Sequence, residues 1–282
     1  MAERLSDIVT QIQNVRQLNA VVTATRGIAA SRAQEGRSLL TGIEAYTAII
    51  SRAIGEALTL LPVDRVAAPE RGSAKRALIL FCAEQGFAGA FSERVFEAAG
   101  ADIDGAVIFV VGTRGAAVAS ERGLALDWSD AMTTRIDGIA NFANRLAEAL
   151  YGYLAKRAIT KVDILFSRSV SGSVRIDRHS LLPIDFARFA RPQQKQPPLI
   201  ALAPQVLLER LVAEYIYAQL CEAAVHGFVA ENDARMNAMV AAKNNTEANL
   251  ATLQQREQQM RQEEITTEII ELAAGAEGSL KA

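Results

Sequence analysis

Proline is distributed very unevenly along this chain of 282 residues. All seven prolines lie between Pro62 and Pro204, and none occurs in residues 1–61 or 205–282. Because proline costs about 3 kcal/mol in a helix interior, the two proline-free arms can form two uninterrupted helices. Only 6% of the residues are aromatic and alanine is abundant, which favours closely approaching helices over a β-sandwich or barrel.

The N-terminal arm carries a continuous heptad pattern. Counted from Leu5, thirteen of the seventeen a and d positions up to Leu61 are apolar. A seam that stays in phase over this length is typical of a coiled coil. At 1.5 Å per residue, the arm would be about 85 Å long.

The C-terminal arm begins near Pro204 with an apolar stripe that becomes sparse later. Between Asn232 and Glu264 the segment is so polar that most of it is expected to face water or another protein. An apolar stripe returns at Ile265, Ile269 and Leu272, and Gly275 is the expected helix end. The two arms therefore predict an antiparallel coiled coil with a single-helix C-terminal extension.

The residues between the arms have the pattern of a Rossmann-like α/β domain. Apolar runs predict strands at 77–82 and 106–111, and a hairpin of 162–169 with 173–182 that turns at Ser171-Gly172. Helices are predicted at 92–99, 113–122 and 130–157. The predicted organisation is a coiled-coil helix at 1–61, an α/β globular domain at 75–185, a linker at 186–204 and a second coiled-coil helix at 205–282.

Charge and hydropathy limit the function classes. A net charge of −2 argues against a general nucleic-acid binder. Residues 1–20 lack the apolar core of a signal peptide, and runs such as Ala106–Gly112 are too short to span a bilayer. We therefore expect a soluble protein that reaches a membrane only through a partner.

Two glycine-rich turns are the nearest candidates for nucleotide chemistry. Gly86–Gly89 and Gly112–Gly115 follow predicted strands, where backbone N–H groups can bind phosphate. Neither reproduces GxGxxG, no GxxxxGK[ST] occurs, and no acidic residue ends the second strand to hold a ribose. Tight α/β turns are the favoured interpretation, and nucleotide binding remains the alternative.

The remaining reactive side chains are few. His179 and His226 lack the spacing of metal ligands, and Cys82 and Cys221 lie in apolar sequence without a CxxC partner. We predict satisfied histidines and buried free thiols, with no catalytic residue, cofactor or metal. The Met236–Met239 pair is interpreted as core packing.

Two C-terminal motifs, in order, resemble those of the gamma subunit of F-type ATP synthase. Residues 234–239 (ARMNAM) are similar to the family's ARMxAM signature, and residues 261–276 (RQEEITTEIIELAAGA) to its RQxxITxEIxEIVxGA ending. Weaker similarity lies at Leu5–Ile8, at residues 84–91 (EQGFAGAF, where the family has SDRGLCGGFN) and at Leu181–Pro183. In the segment 20–34, several family lysines and both methionines are absent, which leaves Arg26 and Arg32 as the cations.

The resemblance implies a non-catalytic rotor shaft, turning inside a ring of alpha and beta subunits. It implies an epsilon subunit and a membrane rotor ring as further partners, at the cytoplasmic face of a bacterial inner membrane. The residues expected to contact the alpha/beta ring are Arg26, Arg32, Arg261, Gln262, Ile265, Thr266, Glu268, Ile269 and Leu272.

Two other classes of protein would also account for parts of the sequence. A coiled-coil scaffold or adaptor unrelated to ATP synthase would account for the long helices but not for the paired motifs. A small nucleotide-binding α/β enzyme would use the middle domain as its active part, although no cluster of ionisable residues marks a site there.

Overall fold

The computed structural model describes residues 5–61, 75–157, 159–170, 173–191 and 198–280. These residues form five α-helices: α1 (Leu5–Leu58), α2 (Phe91–Ala99), α3 (Thr113–Glu121), α4 (Ile139–Arg157) and α5 (Pro204–Leu280). The five strands are β1 (Lys75–Phe81), β2 (Val107–Val111), β3 (Trp128–Asp130), β4 (Ile159–Val170) and β5 (Ser173–Leu182).

The strands form one mixed sheet in the order β3-β2-β1-β4-β5. β1 is parallel to β2 and β4, β2 is parallel to β3, and β4 and β5 form an antiparallel hairpin. The centre of the sheet is apolar because both faces are covered. Leu78 and Leu80 face α2 and α3, whereas Phe81 and Phe109 belong to a core that contains residues of α4 and α5.

The chain divides into two compact units. One consists of Met1–Ile28 with Met236–Ala282, and the other of Ala29–Arg235. In the first unit, α1 and α5 pack through an apolar cluster that contains Ile8, Ile12 and Leu253.

In the second unit, α1 and α5 approach closely at Gly36. A methyl group added there would lie 2.5 Å from Val229 Cγ2, so the crossing requires a residue without a side chain. Further along α1, Ile54 and Leu58 pack with Tyr215 of α5 and with Phe189, which lies in the segment predicted to be a linker.

The predicted fold class is confirmed: two long helices flank a mixed sheet. Every one of the seventeen seam positions between Leu5 and Leu61 is buried or half-buried, although α1 ends at Leu58. The predicted strands and the first two short helices lie within three residues of the observed ones, the largest difference being the start of β4 at Ile159 rather than 162. The Ser171-Gly172 turn lies outside the described residues.

Two boundaries differ from the prediction. The helix predicted from residue 130 begins at Ile139, because Asp130 ends the unpredicted strand β3 and Thr133 Oγ1 accepts a 3.1 Å bond from the Arg135 backbone N–H. The predicted stop at Gly275 is also wrong, since α5 continues to Leu280. A glycine costs only about 1 kcal/mol in a helix, which alanine-rich neighbours can offset.

Candidate functional site

The segment of α5 from Arg261 to Ala273 presents a continuous exposed surface. Met260 is the last α5 residue that packs on the cluster around Ile8 and Leu253. From Arg261 to Ala273 every side chain is exposed, including four large apolar ones. Their exposed fractions are 56% for Ile265, 60% for Ile269, 62% for Ile270 and 74% for Leu272. Contiguous exposed apolar surface of this kind is typical of an interaction site.

The structure brings seven of the nine predicted contact residues together on this segment, which we call the terminal stripe: Arg261, Gln262, Ile265, Thr266, Glu268, Ile269 and Leu272. Ile265, Ile269 and Leu272 follow i, i+4, i+7 spacing and so share one helix face. Sequence analysis missed Ile270, which continues the apolar run beside Ile269.

The two predicted cations of α1 lie elsewhere. Arg26 is half-buried in the unit that contains the terminal stripe, and Arg32 is half-buried in the other unit. Arg32 Nη1 donates to Gln85 Oε1 at 3.3 Å, so this cation contacts the glycine-rich loop of its own chain. Contact of either arginine with a partner stays a prediction.

The loop of residues 84–90 is held to α5 by Arg235, a residue of the ARMxAM-like motif whose role sequence analysis missed. Arg235 Nε donates to the Gly86 carbonyl and Nη2 to the Gln85 carbonyl, each at 3.1 Å. The same guanidinium pairs with Glu231 and donates to Asn232 Oδ1 at 3.2 Å. Arg235 is only 5% exposed, so all its described partners are internal.

Glu231 completes this arrangement from the other side. Its carboxylate accepts from the backbone N–H groups of Glu84 and Gln85, at 3.0 and 3.1 Å. We call Glu231, Arg235 and the loop they hold the loop clamp. The side-chain pair satisfies both backbone donors and backbone acceptors of the loop, which fixes the loop in one position on α5.

A second carboxylate closes the ends of the parallel strands. Glu84, directly after the β1 segment, accepts from the Thr113 N–H at 3.0 Å, from Thr113 Oγ1 at 2.8 Å and from the Met132 N–H at 2.8 Å. Thr113 begins α3, and its N–H lies where a nucleotide phosphate binds in related sheet folds. Internal carboxylates thus occupy the donors that a phosphate would need, which argues against the nucleotide-binding alternative.

Phe87 stands at the tip of the clamped loop. Its ring is 75% exposed and its backbone has φ +62°, a left-handed conformation that costs a non-glycine residue on the order of 1–2 kcal/mol. The loop clamp supplies the neighbouring bonds that hold this conformation.

An ion pair next to the loop clamp joins α1 to α5. Arg37 Nη2 lies 2.7 and 2.6 Å from the two carboxylate oxygens of Asp233, whose side chain is 6% exposed. The sequence prediction that most of the segment from Asn232 to Glu264 faces water or another protein is therefore wrong at its start. Asn232, Asp233 and Arg235 are all buried because each has a partner within the chain.

The histidines and thiols lie in protein surroundings. Burial lowers the pKa of His226 to about 4, and the nearby Arg168 acts in the same direction. Its ring stacks on Phe166, with 5.6 Å between centroids. Cys82 and Cys221 are both buried and unpaired, and burial raises the pKa of each thiol. The raised pKa keeps both thiols protonated at neutral pH, and the protonated thiol is the unreactive form.

Metal sites and membrane-spanning helices are both absent from the described parts of the chain. No group of three or more His, Cys, Asp or Glu side chains is arranged to hold a metal ion. Among the described helices, none combines the length and hydropathy needed to cross a membrane.

Residues 4–278 match a family model described as ATP synthase. The chain is 24% identical to the ATP synthase gamma chain of Clavibacter michiganensis, with 98% of each chain covered. It is 22% identical to that of Bdellovibrio bacteriovorus, over 97% of this chain and 98% of the relative.

Solved structures share the fold. The chain resembles one in the Euglena gracilis mitochondrial ATP synthase OSCP/F1/c-ring assembly, with a TM-score of 0.62, 11% identity, and coverage of 96% of this chain and 92% of that one. It also resembles a chain of the central stalk and c-ring of the Tetrahymena thermophila mitochondrial ATP synthase. There the TM-score is 0.53 at 14% identity, with 79% and 99% covered.

Proposed function

This chain belongs to the ATP synthase gamma-chain family, and from that premise we propose that it is the central rotor shaft of an F-type ATP synthase. As the shaft, it couples ion flow through a membrane rotor ring to ATP synthesis or hydrolysis in a ring of alpha and beta subunits. The observation that carries the proposal is the family match over residues 4–278, combined with a fold shared with central-stalk structures.

The contact surface that we assign to the alpha/beta ring is the terminal stripe. Its side chains are exposed and partly apolar, which suits a helix end that turns within an apolar collar. Two of its polar side chains bond within the helix: Arg261 Nη2 lies 2.7 Å from Glu257 Oε1, and Thr266 Oγ1 donates to the Gln262 carbonyl at 2.7 Å. The contacts that such a surface makes with the surrounding ring are individually weak, which allows the shaft to rotate. Arg26 and Arg32 are assigned to the same ring as secondary contacts.

The chain itself is proposed to be non-catalytic. Glu84 and Glu231 accept from the N–H groups of Glu84, Gln85, Thr113 and Met132 at the carboxyl ends of the strands, so a phosphate would have to displace them to bind there. Its proposed contribution is to present a different face to each catalytic subunit, so that each subunit favours a different conformation.

We further propose that the shaft works at the cytoplasmic face of a bacterial inner membrane, attached through the rotor ring and an epsilon subunit. We propose that the coiled-coil helices at 1–61 and 205–282 enter the alpha/beta ring. The globular domain at 75–185, which the linker at 186–204 follows, is proposed to lie near the rotor.

One experiment tests the shaft role directly. An affinity-tagged full-length chain is purified from its own cells with mild detergent, and its partners are identified by mass spectrometry. We expect to recover alpha, beta and rotor-ring subunits. The complex should hydrolyse ATP, and the isolated chain should not. Recovery of the chain without nucleotide-binding subunits would favour the scaffold interpretation, and ATP turnover by the isolated chain would contradict the non-catalytic assignment.

A further inference from the structure

The strand β5 forms one edge of the sheet and has a strand neighbour on one side only. It pairs with β4 over its whole length, from Ser173 opposite Val170 to Leu182 opposite Val162. Among the residues that the structure describes, no backbone hydrogen bond joins the other side of β5 to the rest of the chain. Every second residue of such a strand directs its N–H and C=O groups outward.

The two edges of this sheet are protected to different degrees. Edge strands are usually kept from pairing with other chains by short length, proline, bulges or charge. β3, at one edge, has three residues, whereas β5 has ten and contains no proline. The one register shift in the hairpin leaves Leu181 of β5 as an extra residue between the pairs Val162–Leu182 and Asp163–Ser180, so β5 is regular from Ser173 to Ser180. β5 therefore offers a long, regular edge.

The charged side chains of β5 do not block that edge, because partners within the chain engage them. Asp177 pairs with Arg168 at 2.7 Å and with Arg175 at 2.8 Å. Arg178 donates to Asp163 at 2.8 Å and to Asp102 at 2.6 Å.

A cavity of about 340 Å³ lies at the C-terminal end of β5. Its lining includes Ser180, Asp185, Arg188 and Tyr215. Asp185 accepts from the Ala187 N–H at 3.0 Å, and the Arg188 guanidinium lies 5.9 Å from the centre of the Tyr215 ring. No carboxylate of a described residue lies within ion-pair distance of Arg188. Of the two arginines that line the cavity, Arg178 is already paired with Asp102 and Asp163, which leaves Arg188 as the described cation available to a carboxylate.

We propose that an extended, acidic segment of another subunit of the complex pairs with the outer edge of β5 as a sixth strand, with a carboxylate bound by Arg188 in this cavity. Backbone hydrogen bonds along the edge supply affinity, and the arginine–carboxylate pair sets the register and selects an acidic sequence. The inference rests on the proposed function, since the partner is a subunit that assembles with this chain.

Hydrogen–deuterium exchange of the full chain, isolated and within the purified complex, tests the proposal. Alternate backbone amides of residues 173–182 should exchange at least tenfold more slowly in the complex, because only the outward-facing ones gain a partner. Equal exchange rates in a complex that contains the alpha and beta subunits would overturn the added strand but leave the shaft role intact. A chain that does not assemble with those subunits would overturn both.

A pair of charge reversals tests the acidic partner. Arg188→Glu is expected to remove the added protection of β5 in the complex, and Arg188→Gln to reduce it. Arg94→Glu, at an exposed position of α2, is the matched control and should leave it unchanged. Full protection with Arg188→Glu would overturn the acidic partner. A dimer of the isolated chain with β5 already protected would also overturn the proposal, since the occupant would then be a second copy.

Discussion

Arg235 forms an ion pair with Glu231, one turn earlier on α5, and each side chain is only 6% exposed. The same spacing recurs on this helix at Glu257 and Arg261, where the arginine is 60% exposed. The two pairs differ in burial and in their further partners. The buried guanidinium also donates to two loop carbonyls, and the buried carboxylate accepts from two loop N–H groups. Such additional bonds offset the desolvation of a buried ion pair.

Arg235→Ala should therefore lower the free energy of unfolding by about 3–5 kcal/mol, since it leaves the Glu231 carboxylate buried without its cation. Arg261→Ala is the matched control and should cost less than about 1 kcal/mol. Urea denaturation of the full chain, followed by circular dichroism, measures both. Equal costs for the two substitutions would contradict the role given to the loop clamp.

Gly36 and Gly42 of α1 should respond to alanine with opposite signs. At Gly36 the new methyl group would lie 2.5 Å from Val229 Cγ2, whereas at Gly42 no atom lies within 4 Å. Because valine is stiff, Gly36→Ala should lose about 1–2 kcal/mol of stability, and Gly42→Ala should gain about 0.5–1 kcal/mol through helix propensity. Thermal unfolding of the two variants checks the signs. Restoration of Gly36→Ala by Val229→Ala would identify the contact.

Acid should destabilise the fold through His226. Its folded pKa, about 4, lies below the ordinary value of 6.5, so the unfolded chain binds the proton more readily. This contribution to stability is complete above about pH 6.5 and is lost as the pH falls towards 4. The groups facing the ring are Arg168, Asp177, His179 and the Glu222 carboxylate, which lies 3.9 Å from Nε2.

The measurement is the free energy of unfolding of the wild type and of His226→Phe between pH 4 and 7. The variant should show a shallower dependence on pH, since phenylalanine has no proton to bind. Identical slopes would exclude His226 as a source of acid sensitivity.

Removal of the terminal stripe should impair coupling without unfolding the rest of the chain. A chain truncated after Met260 retains the cluster of Ile8, Ile12 and Leu253, so its thermal unfolding should be close to that of the full chain. Ion-driven ATP synthesis by the complex should fall several-fold. Serine at Ile265, Ile269 and Leu272 should have a similar effect, while Gln258→Ser, at another exposed position of α5, should have none.

Much of the fold could be predicted because its signals are local. The heptad seam from Leu5 and the apolar runs of β1 and β2 depend on nearest neighbours along the chain. β3 escaped prediction because three residues carry too little pattern, and its position is fixed by pairing Trp128 with Phe109 of β2.

The loop clamp could not be predicted for a different reason. Arg235 and Gly86 are 149 positions apart, so nothing in the sequence around either residue specifies the contact. A polar stretch of sequence is most simply interpreted as solvent-exposed. Only in the folded chain does Arg37 pair with Asp233, and only there does Arg235 donate to the loop carbonyls. The apolar members of the terminal stripe could be predicted because their helical spacing is a local pattern, whereas its polar members came from the family resemblance. Contact of the stripe with partner subunits stays a prediction.

The carboxylates of Glu84 and Glu231 have a consequence for regulation. A free phosphate or adenylate would have to displace these carboxylates to reach the N–H groups of Glu84, Gln85, Thr113 and Met132. We therefore expect changes in cellular phosphate or adenylate concentration to act on these strand ends only weakly.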